Sequence, residues 1–229
     1  MLTILIPTYK DLQRDWTSKL FDSVMGQKVI VIDTPSNDGM EAECQKRGFS
    51  YVKSKAINRA GRLNDGIKYV NTPWVIFHHP RSTLEAIAFS QVLELKNPSW
   101  GGYTHKFDDR HPLLTFASFW SNHIRGELQG VYYLDHCLFS HVNLLSDKPR
   151  PFGEVDVFED TLFCKKLKTS KRPIRLKAIS TTSSIRFKQN GLWRQAIMNQ
   201  LLKIGYFLGL DHAMMNRWYE KGLGLNQRY

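Results

Sequence analysis

Short apolar runs alternate with helix-patterned segments four times in the first 95 residues, and this alternation limits the fold more than any other feature. LTILIP is leucine-rich and β-branched, as in a strand buried on both faces, and Pro7 closes the run. In TYKDLQRDWTSKLFDSVMG, Trp16, Leu20 and Val24 recur every four residues, as on one face of a helix, with Gly26 as terminator. KVIVID repeats the buried-strand pattern and ends at Asp33. The turn-rich TPSNDG then offers Asn37 or Asp38 to cap the next helix. FSYVKS predicts a third strand, RAGRLNDGIKYV a helix, WVIFHH a fourth strand, and the residues from about Thr83 to Leu95 another helix. Short connections between such units imply an α/β domain with a mostly parallel central sheet. Ligands of such sheets bind beyond the carboxyl ends of the strands. The residues delivered there are Thr8, Asp33, His78 and His79.

The second half has a different texture. WGGYTHKF and VYYLDHCLFS predict aromatic strands, with an amphipathic helix over HPLLTFASFWSNHIRG between them. EDTLFCKKLK predicts a short helix with Leu162, Phe163 and Leu167 on one side and lysines on the other; RPIRLKAIS predicts a further strand. Beyond Gly191, Trp193, Ile197, Leu201, Ile204 and Leu208 recur at helical spacing, a stripe expected to pack on the core. No repeat or linker interrupts the chain. One domain over residues 1–229 is expected, with a ligand-binding half over about 1–110 and a second half, ending in helices, over about 111–229.

The formal charge of +11 favours acidic partners: nucleic acid, anionic lipid head groups or phosphorylated small molecules. A basic surface that merely aids solubility gives the same number. Nucleic acid is disfavoured, because KKLKTSKRPIRLK lacks interleaved aromatic residues and no helix-turn-helix or RRM signature occurs. Three cysteines, Cys44, Cys137 and Cys164, form no CxxC pair, which fits a reducing compartment. No signal-peptide pattern opens the sequence, and no apolar run is long enough to span a bilayer. A cytoplasmic protein is expected, with the stripe near Trp193 and Phe207 able to rest on a membrane surface.

The sequence has no G-x-G-x-x-G after the first strand, no P-loop and no G-x-S-x-G elbow. Adjacent His78 and His79 point to opposite faces of a strand, so both holding one ion would need a bend. One in the core and one near a ligand is the better expectation. Arg81 can fork onto two phosphate oxygens or be a solvated loop residue. Glu159 and Asp160 open a helix whose later turns are basic. They can complement the helix dipole, or one can act as a general base; the residues alone leave both readings open.

ILIPTYK, VIVIDTPSNDG, NRAGRLNDGIKYVNTPWVIFHH, FEDTLFCKKLK and TTSSIRF, in that order, resemble the successive blocks of family 2 glycosyltransferases with a GT-A fold. The likeness extends to small bacterial family-2-like transferases through Arg59, Asn64 and Gly66, then His78, then Glu159 and Asp160. The resemblance implies a Rossmann-type sheet flanked by helices and a nucleotide-diphosphate-sugar donor, UDP-type favoured. It implies inverting transfer to an acceptor hydroxyl; the basic KKLKTSKRPIRLK run could meet a lipid-linked or phosphorylated acceptor. It places Thr8 and Tyr9 against the nucleoside, Asp33 on the base edge, and Arg59 and Asn64 on the base or phosphate side. Asp160 becomes the base, supported by Glu159. Relatives hold a Mn²⁺ or Mg²⁺ ion through an aspartate two residues beyond the strand-end histidine; here Pro80 stands in its place and Arg81 follows. Three readings follow: Arg81, with His78 or His79, replaces the cation; a histidine binds a softer ion; or the protein binds a nucleotide sugar or a partner without catalysis. The first is preferred, with no metal ligand assigned.

Overall fold

A computed structural model describes residues 1–221 of the chain. The first half alternates as expected: β1 (Leu2–Thr8), α1 (Asp15–Ser23), β2 (Lys28–Asp33), α2 (Met40–Arg47), β3 (Ser50–Lys53), α3 (Arg59–Ile67) and β4 (Trp74–Phe77). The chain continues through β5 (Ser82–Leu84), α4 (Ile87–Leu93), β6 (Trp100–Phe107), α5 (Pro112–Phe119) and β7 (Leu138–His141). It ends in α6 (Glu159–Lys168), β8 (Ile174–Thr182), α7 (Ile185–Asn190), α8 (Leu192–Phe207) and α9 (His212–Lys221).

All eight strands join one sheet in the order β3-β2-β1-β4-β7-β6-β8-β5. The first four strands are mutually parallel, as are β6 and β8; β7 runs antiparallel to both β4 and β6, and β5 antiparallel to β8. Successive strand residues face opposite layers. Ile4 and Ile6 pack with Phe21, Val31 and Trp74 on one side, while Leu5 packs with Ile32, Leu63, Phe77 and Phe163 on the other. Because both faces are covered, β1 and β4 are buried along their whole length. Gly101 lets β6 close on β8: a Cβ there would sit 1.8 Å from the Ile174 carbonyl oxygen.

Only residues 78–81 join β4 to β5, although β5 is the far edge strand. That link spans at most about 17 Å even when extended. The sheet therefore curls, and β5 packs against α1 of the first half.

Several local expectations are corrected. Helix α1 begins only at Asp15, and the α2 cap is Gly39, whose φ of 91° suits a residue without Cβ; Asp38 Oδ1 instead accepts the Met40 N–H at 3.2 Å. The helix expected from Thr83 is strand β5 followed by a shorter α4, because Ser82–Leu84 find a partner a hundred residues away in β8. VYYLDHCLFS is strand only over Leu138–His141; Leu134–His136 form a 3₁₀ turn. The helix after His111 passes into nine residues of π-helix, Trp120–Leu128. The α8 stripe does not pack on the core: Gln195, Leu202 and Gly205 face inward, and Trp193, Ile197, Leu201, Ile204 and Leu208 are exposed. Residues 222–229 of the expected domain lie outside the described residues.

Candidate functional site

The ends of β1 and β2 place Thr8, Tyr9 and Asp33 side by side. Thr8 Oγ1 donates to Asp33 Oδ1 at 2.9 Å, and the Tyr51 hydroxyl donates to Asp33 Oδ2 at 3.0 Å. Burial raises the Asp33 pKa to about 6 against those two bonds. Each carboxylate oxygen keeps a free lone pair. Tyr9, half-buried, has the Arg62 guanidinium 5.9 Å from its ring centre, and Arg62 donates to Thr34 Oγ1 at 3.1 Å. Arg62 was not singled out from the sequence, where it is one arginine in a helix.

At the end of β4 the two histidines part company. His78 is fully buried; its Nδ1 faces the His79 carbonyl at 3.0 Å, and its Nε2 has no partner among the described residues. The Nδ1–carbonyl pairing puts the proton on Nδ1. His79 Nδ1 accepts the Arg81 N–H at 3.2 Å, which leaves the proton on Nε2. Burial lowers both pKa values, to about 4 for His78 and well below the ordinary value for His79, so both rings are neutral. The charges of Arg81, Arg59 and Arg186 add to the depression at His79. Three guanidinium groups therefore act on one strand end. Arg186, from α7, lies within TTSSIRF but was not singled out from the sequence.

Helix α6 opens at Phe158, which holds a φ of 63°, unusual for a bulky residue. Glu159, buried, pairs with Arg59 Nε. Asp160 accepts the Leu134 N–H at 2.9 Å and the Thr161 N–H at 2.7 Å. Burial, with the Glu159 charge beside it, raises the Asp160 pKa to about 7. Arg59 opposes that rise and also acts on His79, so it connects the α6 acids with the β4 end.

A second acidic group stands next to Asp160 and was missed from the sequence. Asp135, in the 3₁₀ turn, lies 3.7 Å from His105 Nε2 and 3.9 Å from His136 Nε2. His136 Nδ1 faces the Tyr103 carbonyl at 2.8 Å, so Nε2 is the acceptor for Ser121 Oγ at 2.7 Å. Burial takes the His136 pKa down to about 3, which makes the ring neutral. Burial works against ionisation of Asp135, but His105 and His136 first, then Arg125 and Arg59, favour its charged form and hold its pKa below the ordinary value. The π-helix sets this arrangement: Arg125 lies 3.4 Å above the Tyr133 ring centre, and Asn122 clamps both backbone groups of His105 at 2.8 Å. Lys203, from α8, completes the wall; burial lowers its pKa to about 8, with Arg125 adding to the effect and Asp135 opposing it. Such a cluster, assembled from four separate segments, has no sequence motif.

Asn64 is engaged within the fold. Its amide donates to the Gly153 carbonyl at 2.8 Å and accepts the Phe152 N–H at 3.2 Å, stapling that turn to α3. Much of the basic run is likewise engaged: Lys166, Lys168, Lys171 and Arg172 donate to the carbonyls of Arg150, Gln129, Pro98 and Glu127.

Solved structures carry the same architecture. TarS residues 1–349 of S. aureus in complex with UDP-GlcNAc superpose with a TM-score of 0.62 at 14% identity, covering 80% of this chain and 58% of that one. The mannosyltransferase PcManGT of Pyrobaculum calidifontis, in complex with GDP-Man and Mn²⁺, gives 0.61 at 14%, covering 88% and 61%. Glucosyl-3-phosphoglycerate synthase of Mycobacterium tuberculosis, in complex with Mn²⁺, UDP and phosphoglyceric acid, gives 0.53 at 11%, covering 80% and 69%. The fold is that of GT-A glycosyltransferases. This chain thus spans little more than half of the TarS fragment. No protein-family model matches the chain, and no curated protein matches it in sequence.

Two of these neighbours hold Mn²⁺, which raises the question of what could hold such an ion here. Residues 78–81 offer two neutral imidazoles, a proline and an arginine, and no carboxylate of their own. A hard divalent cation prefers oxygen donors. Among the described residues no three His, Cys, Asp or Glu side chains gather into a metal-holding group. The donor set does not fit Mn²⁺ or Mg²⁺. Nor does any described helix have the length and apolar character to cross a membrane.

Proposed function

We propose that the protein is a family-2-like glycosyltransferase that moves a sugar from a nucleotide-diphosphate donor, UDP-type favoured, to an acceptor hydroxyl with inversion. One observation carries the reading: Arg59 acts both on a strand end under three positive charges and on a buried carboxyl with a pKa of about 7. The first suits a leaving diphosphate and the second suits a base at neutral pH.

In this reading the first half binds the donor. Thr8 and Tyr9 lie against the nucleoside, and a free lone pair of Asp33 accepts an N–H of the base. Arg81, with Arg59 and Arg186, neutralises the diphosphate where relatives place a cation; neutral His79 donates through Nε2. In the second half Asp160 takes the proton of the acceptor hydroxyl. The hydroxyl oxygen bonds to the anomeric carbon as the carbon–oxygen bond to the diphosphate breaks on the opposite face, which inverts the centre. Glu159 holds Arg59 in place. Asp135 and Lys203 border the acceptor side.

The missing strand-end carboxylate favours one second reading, a GT-A protein that binds a nucleotide sugar without transferring it. Thermal unfolding against nucleoside diphosphates and their sugars, with EDTA or Mn²⁺, separates the outcomes. A ligand at 100 times its Kd stabilises by about 2.7 kcal/mol. The proposal expects a shift that survives EDTA and is lost in Arg81→Ala, together with sugar transfer lost in Asp160→Asn. Nucleotide binding without transfer supports the second reading, and no shift with any nucleotide overturns both.

A further inference from the structure

Helix α8 presents an apolar face that the fold leaves uncovered among the described residues. Trp193 is 68% exposed, Ile197 58%, Leu201 51%, Ile204 55%, Phe207 91% and Leu208 70%. At about 100° per residue these six fall within an arc of about 120°, interrupted only by Gln200. The face is not a core that failed to pack, because the opposite side of the helix is already seated. Gln195 is buried and bonded to Asn190 and Asn199 at 2.8 and 2.7 Å, Leu202 is buried, and Gly205 lies against Leu210 and Met215. A contiguous apolar patch of this kind on a basic protein marks an interaction surface.

We propose that α8 docks the protein on an anionic phospholipid bilayer, lying in the headgroup region with this face down. The inference does not rest on sugar transfer. Charge selects the occupant: residues 185–210 contain no acid, and of their cations Lys188 and Arg194 are exposed. Arg194 is exposed next to Trp193 at the edge of the apolar arc, where a guanidinium reaches lipid phosphates while the indole enters the interface. At sixteen residues the helix is suited to lie on the bilayer surface. A second apolar patch, Phe116, Phe119 and Trp120, is exposed on the α5 side, and Lys188 of α7 pairs with Asp109 just before α5 at 3.5 Å. On its inner side α8 carries Lys203 to the Arg125–Asp135 cluster, so docking would hold that cluster near the lipid surface.

Co-sedimentation of the full chain with phosphatidylcholine vesicles, with and without phosphatidylglycerol, tests the proposal. Wild type is expected to pellet with the anionic vesicles, weakly with the neutral ones, and less as salt rises. The double variant L201E/I204E, altered only at exposed positions, should keep the wild-type unfolding temperature and lose binding by at least about tenfold. Failure of the wild type to pellet, equal pelleting on neutral vesicles, or a double variant that binds like wild type would overturn it. So would a wild-type dimer in sedimentation velocity that the same variant dissociates, since that assigns the face to a second copy.

Discussion

Replacing Asp160 by Asn should make the protein more stable as the pH rises, relative to wild type. A carboxyl whose pKa moves from 3.8 in the unfolded chain to about 7 in the fold opposes folding once it must ionise. Below pH 3.8 it is protonated in both states and contributes nothing. Between pH 3.8 and about 7 the unfolded chain ionises alone, so the fold loses stability steadily. Above that range the loss is constant, at most about 4 kcal/mol. Asn cannot ionise, and it offers one acceptor oxygen where the carboxylate served both the Leu134 and Thr161 N–H groups. The lost bond costs about 1–3 kcal/mol, independent of pH. The observable is therefore the slope, not the offset. Urea unfolding of both proteins should show the difference, variant minus wild type, rising by about 2–3 kcal/mol from pH 5 to pH 8. Groups common to both, such as Asp33, cancel. A difference that stays flat across that range would refute the claim that burial, aided by Glu159, sets this carboxyl.

Two further outcomes are expected. Gly101→Ala would drive a Cβ into the Ile174 carbonyl at 1.8 Å, and parting β6 from β8 should cost about 3 kcal/mol or more, seen as a large drop in Tm; an unchanged Tm would show that the strands can separate freely. If ionised Asp33 accepts a base N–H, affinity for a uridine nucleotide should fall up to tenfold for each pH unit below about 6, and Asp33→Asn should flatten that profile in calorimetric titrations; a wild-type profile already flat from pH 5 to pH 7.5 would remove Asp33 from the base.

The ends of the first strands were legible because they obey local rules. Buried strands read as continuous apolar runs, and the residues that follow them, Thr8, Asp33 and His79, must emerge at one sheet edge. The cluster around Asp135 was not legible, because nothing local distinguishes its parts. LDH reads as the middle of a strand, yet it turns and places Asp135 between two histidines from different elements. Arg62 and Arg186 look like ordinary helix arginines until the fold converges them. STL is too short to register as a strand, and only β8 makes it one. For α8 the periodicity gave the helix correctly, but periodicity cannot say whether an apolar face meets the core or the outside.

The curled sheet has a kinetic consequence. The contacts that tie the two halves together join residues far apart in sequence: Asn58 to Asp156 across 98 positions, Arg59 to Glu159 and Ser82 to Thr182 across 100 each. Closing such loops before their contacts contribute slows folding. The pairing of β1 with β2 joins residues only about 25 positions apart and carries a smaller closure cost.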